Sequence, residues 1–175
     1  MINAIKIRRS VRLFKSTPVA EKDLEEIMRA ALYAPSAADR RPVRYVIIRE
    51  KETIQKLSEA SAWSGLLKTA PLAIAVCADL ANGKRWVEDC SIASEHIMLQ
   101  SAELGLGTCW VQIRLGSPGK SGEPEACVKK LLQMPENTGV NCIIALGYPA
   151  RAPKPHEDKD FDASAVYYEK YGGSQ

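Results

Sequence analysis

Residues Trp86–Ile113, WVEDCSIASEHIMLQSAELGLGTCWVQI, spell out a long helix, its stop and a following strand. Between Trp86 and Leu104 the apolar and small residues Val87, Cys90, Ala93, Ile97, Met98, Ser101, Ala102 and Leu104 lie all round the predicted helix. Such a helix is expected to be buried on most sides, by a sheet or by another subunit. Gly105 ends it, because the residue just past a helix commonly adopts the left-handed conformation that costs glycine nothing. Gly107–Ile113 then reads as a central strand. His96, inside the helix, reads as a satisfied core residue rather than a catalyst.

Outward from this block, both directions alternate strand and helix. Towards the N-terminus, Pro71 opens PLAIAVCAD, an apolar run too short for most helices that reads as a strand covered on both faces. Before it come an amphipathic helix over Thr53–Ala60, a second short one over Ser61–Thr69 and a strand over Val43–Arg49. A helix over Glu21–Leu32 has Leu24, Ile27, Met28 and Ala31 at helical spacing and acids in its first turn. A short helix over Asn3–Arg9, with Ile5 inward, delivers Arg8 and Arg9 at its end. Towards the C-terminus, Pro124–Gln133 reads as a helix and Val140–Leu146 as a strand. The alternation implies an α/β sandwich.

The 175 residues suit one domain with a proper core. A hydrophobic fraction of 46% with 26% charged residues is that of an ordinary globular chain. The net charge of +3 is too small for a dedicated nucleic-acid binder but leaves small anionic ligands open. No secretory signal opens the sequence, and no stretch approaches the roughly 18 apolar residues of a membrane span, so the expected location is the cytosol. Five widely spaced cysteines without a CxxC pair, beside only two histidines, read as buried free thiols and not as a metal site.

The segment Arg8-Arg9-Ser10-Val11-Arg12 holds three guanidinium groups and a hydroxyl in five residues. It is either a solvated basic face or an anion site, since guanidinium forks give paired, charge-assisted hydrogen bonds to phosphate or carboxylate. A second basic group, Arg151, Lys154 and His156, lies in the proline-punctuated stretch 147–156. Gly116-Ser117-Pro118-Gly119-Lys120-Ser121 ends like a phosphate-binding P-loop, but that pattern needs glycine where Arg114 stands, so it reads as an exposed glycine-rich loop. Gly105-Leu106-Gly107 lacks the third glycine and preceding strand of a dinucleotide fingerprint. Trp63, Trp86 and Trp110 each suit a core position, and Trp110 also suits a pocket wall. No nucleophile or acid dyad has a partner at a telling spacing. If the chain is an enzyme, a cofactor does the chemistry, and a phosphate handle on it would explain basic groups at both ends of the chain converging on one anion.

Four blocks, RRSVRLF (8–14), APSAADRRPVRYVII (34–48), DCSIASEHIMLQSAELGLGTCWVQI (89–113) and LGYPARAPKPH (146–156), resemble the nitroreductase family of FMN-dependent oxidoreductases. The resemblance implies an α+β fold, a three-layer α/β/α sandwich around a mixed sheet. It implies a homodimer with two FMN clefts shared between subunits, and one domain over 1–175 whose segment 155–175 packs on the partner subunit. It implies hydride transfer from NADH or NADPH to flavin N5, and two electrons passed on to an electron-poor small molecule such as a nitroaromatic or quinone. By position, Arg8, Arg9, Ser10, Lys154, Arg151 and His156 hold the phosphate and ribityl chain, and Arg12 lies at the pyrimidine edge. Pro35, Ser36 and Ala37 come from the other subunit, and Asp39 is a further cofactor-binding candidate. Trp110, Val111, Gln112 and Ile113 run beside the ring, with a backbone N–H near Gln112 or Ile113 facing N5.

The family often has asparagine, glutamine and tryptophan where this chain has Asp39, Arg41 and Val43, and arginine where it has His156. An ionised aspartate cannot donate to a flavin carbonyl, and Asp39 is expected to pair with Arg40 or Arg41 instead. Two other readings stay open: a relative using FMN for dehydrogenation or reductive dehalogenation, and a non-catalytic module binding nucleotide or RNA. The second is disfavoured by the modest charge and by basic residues without interleaved aromatics.

Overall fold

A computed structural model describes residues 1–173 of the chain. Its strands are β1 (Val43–Ile48), β2 (Leu72–Asp79), β3 (Gly107–Gln112) and β4 (Thr138–Gly147). Its helices are α1 (Asn3–Ile7), α2 (Glu21–Leu32), α3 (Lys51–Leu57), α4 (Trp86–Glu103) and α5 (Pro124–Leu131). The sheet order is β1-β2-β4-β3, and neighbouring strands run antiparallel. Its parallel component is one bridge between Ser10 and Thr108 on the outer side of β3.

Alternation along β2 and β4 separates two cores, because successive side chains of a strand point to opposite faces. Ile74, Val76, Cys142 and Ile144 pack with Leu24 and Ile27 of α2 and Ile97 of α4. Ala73, Ala75, Ile143 and Ala145 pack with Ile54 and Leu57 of α3 and Val128 of α5. The result is the expected three layers, helices on both faces of the sheet. β2 and β4 are the two inner strands, and β4 is buried along its whole length. β3, expected in the centre, is an edge strand; the extended segment around Ser10–Val11 covers it, with the Val11 N–H donating to Thr108 O at 2.9 Å.

Gly105 (φ 74°) ends α4 in the expected left-handed conformation. Two expected core positions are not in the core. Ile5 is exposed and Ala4 is buried in its place, while Val11 and Phe14 anchor the basic segment. Trp63 is 72% exposed. His96 is a core-side residue, with Nδ1 3.0 Å from Ala30 O.

The glycine-rich loop has a packing role. Ser61 and Pro118 form an antiparallel bridge, and the Ala62 N–H donates to Ser117 O at 3.1 Å. A Cβ on Gly119 would strike the backbone carbonyl of Glu59 and stand 2.7 Å from Ser61 N. Backbone cannot yield as a flexible side chain does, so Gly119→Ala is expected to cost about 2–3 kcal/mol, read as a lowered denaturation midpoint.

All five thiols are free, four of them buried and Cys127 half-buried. Burial pushes the Cys77 thiol up to about 11 and the Cys142 thiol up to about 12, and raises Cys90 as well. Thiolate is the reactive form. A disulfide-exchange reagent at pH 8 is therefore expected to label Cys127 quickly and the other four only on unfolding; rapid labelling of two or more would contradict this.

Candidate functional site

The basic segment reaches its place because three stretches far apart in sequence bind one another through the backbone. Val11 pairs with Thr108, the Lys15 N–H donates to Tyr148 O at 2.9 Å, the Ala150 N–H to Leu13 O at 2.9 Å, and the His156 N–H to Lys6 O at 2.8 Å. Gly107 permits the approach: a Cβ there would lie 2.7 Å from Val11 Cγ2 and 3.0 Å from Pro149 Cγ. The two basic groups expected at opposite ends of the chain thus converge beside the start of β3.

A cavity of about 230 Å³ opens at this junction, lined by Arg8, Arg9, Gly105, Gly107, Thr108 and Pro153. Arg9 Nη1 donates to Lys154 O at 3.4 Å. Arg8 Nε lies 3.7 Å from Glu95 of α4, a long contact between partly exposed groups. Arg12 Nη1 reaches Ser10 O at 3.5 Å. Beneath them, burial raises the Cys109 thiol, while Arg12, the Ser10 hydroxyl and Arg8 pull it the other way. His156 faces an internal anion: Nδ1 lies 3.3 Å from Asp160 Oδ2. The Glu157 N–H first, and His156 after it, hold the Asp160 carboxyl below its ordinary value. Arg151 is exposed.

Along β3, Trp110 is half-buried and its Nε1 donates to Gln112 Oε1 at 2.8 Å, which fixes the Gln112 side chain. Val111 and Ile113 are buried in the α3/α5 core, so only their backbone can meet a ligand. A bulge in β4 at Asn141 takes up the Ile113 and Arg114 N–H groups, at 3.3 and 3.0 Å from Asn141 O. Thr108 O faces the outer edge, and strand alternation turns the Gln112 N–H to that same edge. Of the two candidate N–H groups, Gln112 has the open one.

The second group lies elsewhere. The turn after α2 carries Pro35, Ser36, Ala37 and Asp39, with a cavity of about 360 Å³ lined by Tyr33, Pro35, Ser36, Arg41 and Ala93. Asp39 pairs with Arg41, through Nε at 2.7 Å and Nη2 at 3.2 Å, as one of the two expected pairings has it. The Arg41 guanidinium holds the Asp39 carboxyl below its ordinary value, so it stays ionised and cannot donate. Ala38, Asp39 and Arg41 all have positive φ, 53°, 51° and 48°, a conformation that side chains resist.

One residue of this region escaped the sequence reading. Asp89 of α4 is buried, and its Oδ1 accepts from the Ala37 N–H at 2.9 Å. No sequence signal separates it from the other acids of α4, Glu88, Glu95 and Glu103. The two groups line separate cavities that have no residue in common.

A model of the nitroreductase family matches residues 5–88 and 65–148. A Methanothermobacter thermautotrophicus protein provisionally named NADH dehydrogenase/NAD(P)H nitroreductase is 35% identical over 174 residues, with 98% of this chain and 87% of that protein covered. The solved structure of an FMN-dependent nitroreductase from Clostridium difficile superposes with a TM-score of 0.93 at 37% identity, covering 97% of this chain and 99% of that one. The FMN reductase [NAD(P)H] of Bacillus subtilis is 25% identical, covering 89% of this chain and 69% of its own.

Proposed function

The chain belongs to the nitroreductase family, and on that premise we propose that it is an FMN-dependent NAD(P)H oxidoreductase that reduces electron-poor small molecules such as nitroaromatics or quinones. The observation that carries the reading is the convergence of Arg8, Arg9 and the Lys154 segment on one cavity beside the start of β3. These residues fit the cofactor. Two guanidinium groups suit a phosphate, and the glycine at 107 lets both basic segments close on the same spot.

When bound, FMN supplies hydride acceptance and return at N5. The chain supplies the setting. Arg8, Arg9, Ser10 and Lys154 would hold the phosphate and ribityl end; Arg151 and His156, expected to help, do not line this cavity, and His156 lies in another with Lys6 and Asp160. Arg12 would supply a fixed positive charge near the pyrimidine edge, which would favour the reduced form by Coulomb attraction. The Gln112 N–H points outward along the edge of β3, and Trp110 braces the Gln112 side chain. The transfer itself needs no side-chain acid or base.

The two groups line separate cavities, which fits a homodimer in which Pro35–Ala37 of one subunit complete the site beside Arg8 of the other. The C-terminal extension fits the same arrangement. Phe161 and Tyr171 are 74% and 93% exposed, aromatic surface that a partner subunit would cover. The five free thiols support a reducing, cytosolic location. Among the described residues no helix is long and apolar enough to cross a membrane.

The test is a visible spectrum of the purified protein before and after anaerobic NADPH or NADH. A yellow protein that bleaches, then recovers on adding a quinone or nitroaromatic, is the expected result. A protein that stays colourless after incubation with FMN would end the reading and send the search to nucleotide and RNA binding.

A further inference from the structure

Within Ser36–Arg41, Ser36 is half-buried and every other residue is exposed, so apolar burial does not hold the segment down. Yet Ala38, Asp39 and Arg41 sit at positive φ, which needs support from outside. Inside the segment, the Arg41 N–H closes the turn on Ser36 Oγ at 2.9 Å, and Asp39 grips Arg41 at its exposed tip. Two hydrogen bonds tie it to the body of the protein: at its end Arg44 Nη1 of β1 donates to Arg41 O at 2.9 Å, and at its start, where Ser36 and Ala37 lie, the Ala37 N–H donates to Asp89 Oδ1 at 2.9 Å.

Asp89 is a costly residue for that tie. It is 4% exposed, and among the described residues its Oδ2 is buried without a hydrogen-bond partner. A buried carboxylate that makes one bond and leaves an oxygen unsatisfied gives the fold less than an apolar side chain of the same shape would. Folding alone therefore does not explain its presence.

We propose that Asp89 is a positioning residue: its carboxylate fixes the Ser36–Arg41 segment in the conformation in which that segment meets the partner subunit's flavin. The hold on the segment belongs to the chain alone, while its consequence for flavin rests on the function proposed above. Ser36 and Ala37 present backbone, and backbone is placed by whatever holds it.

The test compares Asp89→Leu, which keeps the shape and removes both oxygens, with Asp89→Asn, which keeps an acceptor for Ala37. In the FMN-free protein, amide hydrogen exchange at Ala37 is expected to quicken about tenfold or more in the leucine variant and to stay near the parent rate in the asparagine variant. FMN binding, read by quenching of flavin fluorescence, should weaken about tenfold in the first and little in the second. The melting temperature of the leucine variant should not fall. Unchanged exchange at Ala37 in Asp89→Leu, equal loss in Asp89→Asn, or a leucine variant that does not fold would each overturn the proposal. A parent protein that binds no FMN would instead remove the flavin reading, and the exchange rates would still decide whether Asp89 holds the segment.

Discussion

Alanine at position 8 is expected to weaken FMN binding by about 30- to 100-fold while leaving the fold in place. Arg8 is half-buried against the cavity beside β3, and its contact in the chain is a 3.7 Å approach to Glu95. A partly exposed ion pair of that length is worth at most about 1 kcal/mol, so its loss should scarcely move the stability of the FMN-free protein. Against a bound phosphate the same guanidinium makes charge-assisted hydrogen bonds in a partly closed pocket, where each is worth about 1.5–3 kcal/mol. Arg9→Ala should cost less, because Arg9 Nη1 already has the Lys154 carbonyl at 3.4 Å. Titration of FMN into the apoproteins, with thermal melts of the same samples, separates the two effects. An Arg8→Ala protein that binds FMN as tightly as the parent would remove Arg8 from the site.

The largest loss of stability is expected in β4. Ile144 is fully buried between the sheet and α2/α4, and its neighbour Ile143 is fully buried on the opposite face. Ile144→Ala removes three carbons from a close-packed layer and leaves a cavity, at a cost of about 3–4 kcal/mol. In a chain of this size that corresponds to a fall of about 10 °C in melting temperature. Ile47→Ala, on the partly exposed edge strand β1, should change stability by about 0.5 kcal/mol or less. Equal melting temperatures for the two variants would mean that β4 is not an inner strand.

Those predictions depend on what only the folded chain reveals, and the division follows physical range. Local pattern was enough for α2, read at the same bounds from apolar residues three and four apart, and for β2, read from an unbroken apolar run. It was also enough for the stop at Gly105, because a left-handed C-cap is a property of one residue. The composition of the basic segments named the candidate phosphate ligands, since guanidinium chemistry is carried by the residues themselves.

Tertiary structure alone decided where those pieces went. β3 is at the edge and β4 in the centre because strand order is set by backbone pairing, which the side chains of a buried strand do not encode. His156 faces Asp160, and Asp89 holds Ala37 across 52 positions of sequence. Periodicity reports which face of an element is apolar, but not which distant polar group will meet it. That meeting was decided by the folded chain, which puts the Arg8 group and the Ser36 group in separate cavities.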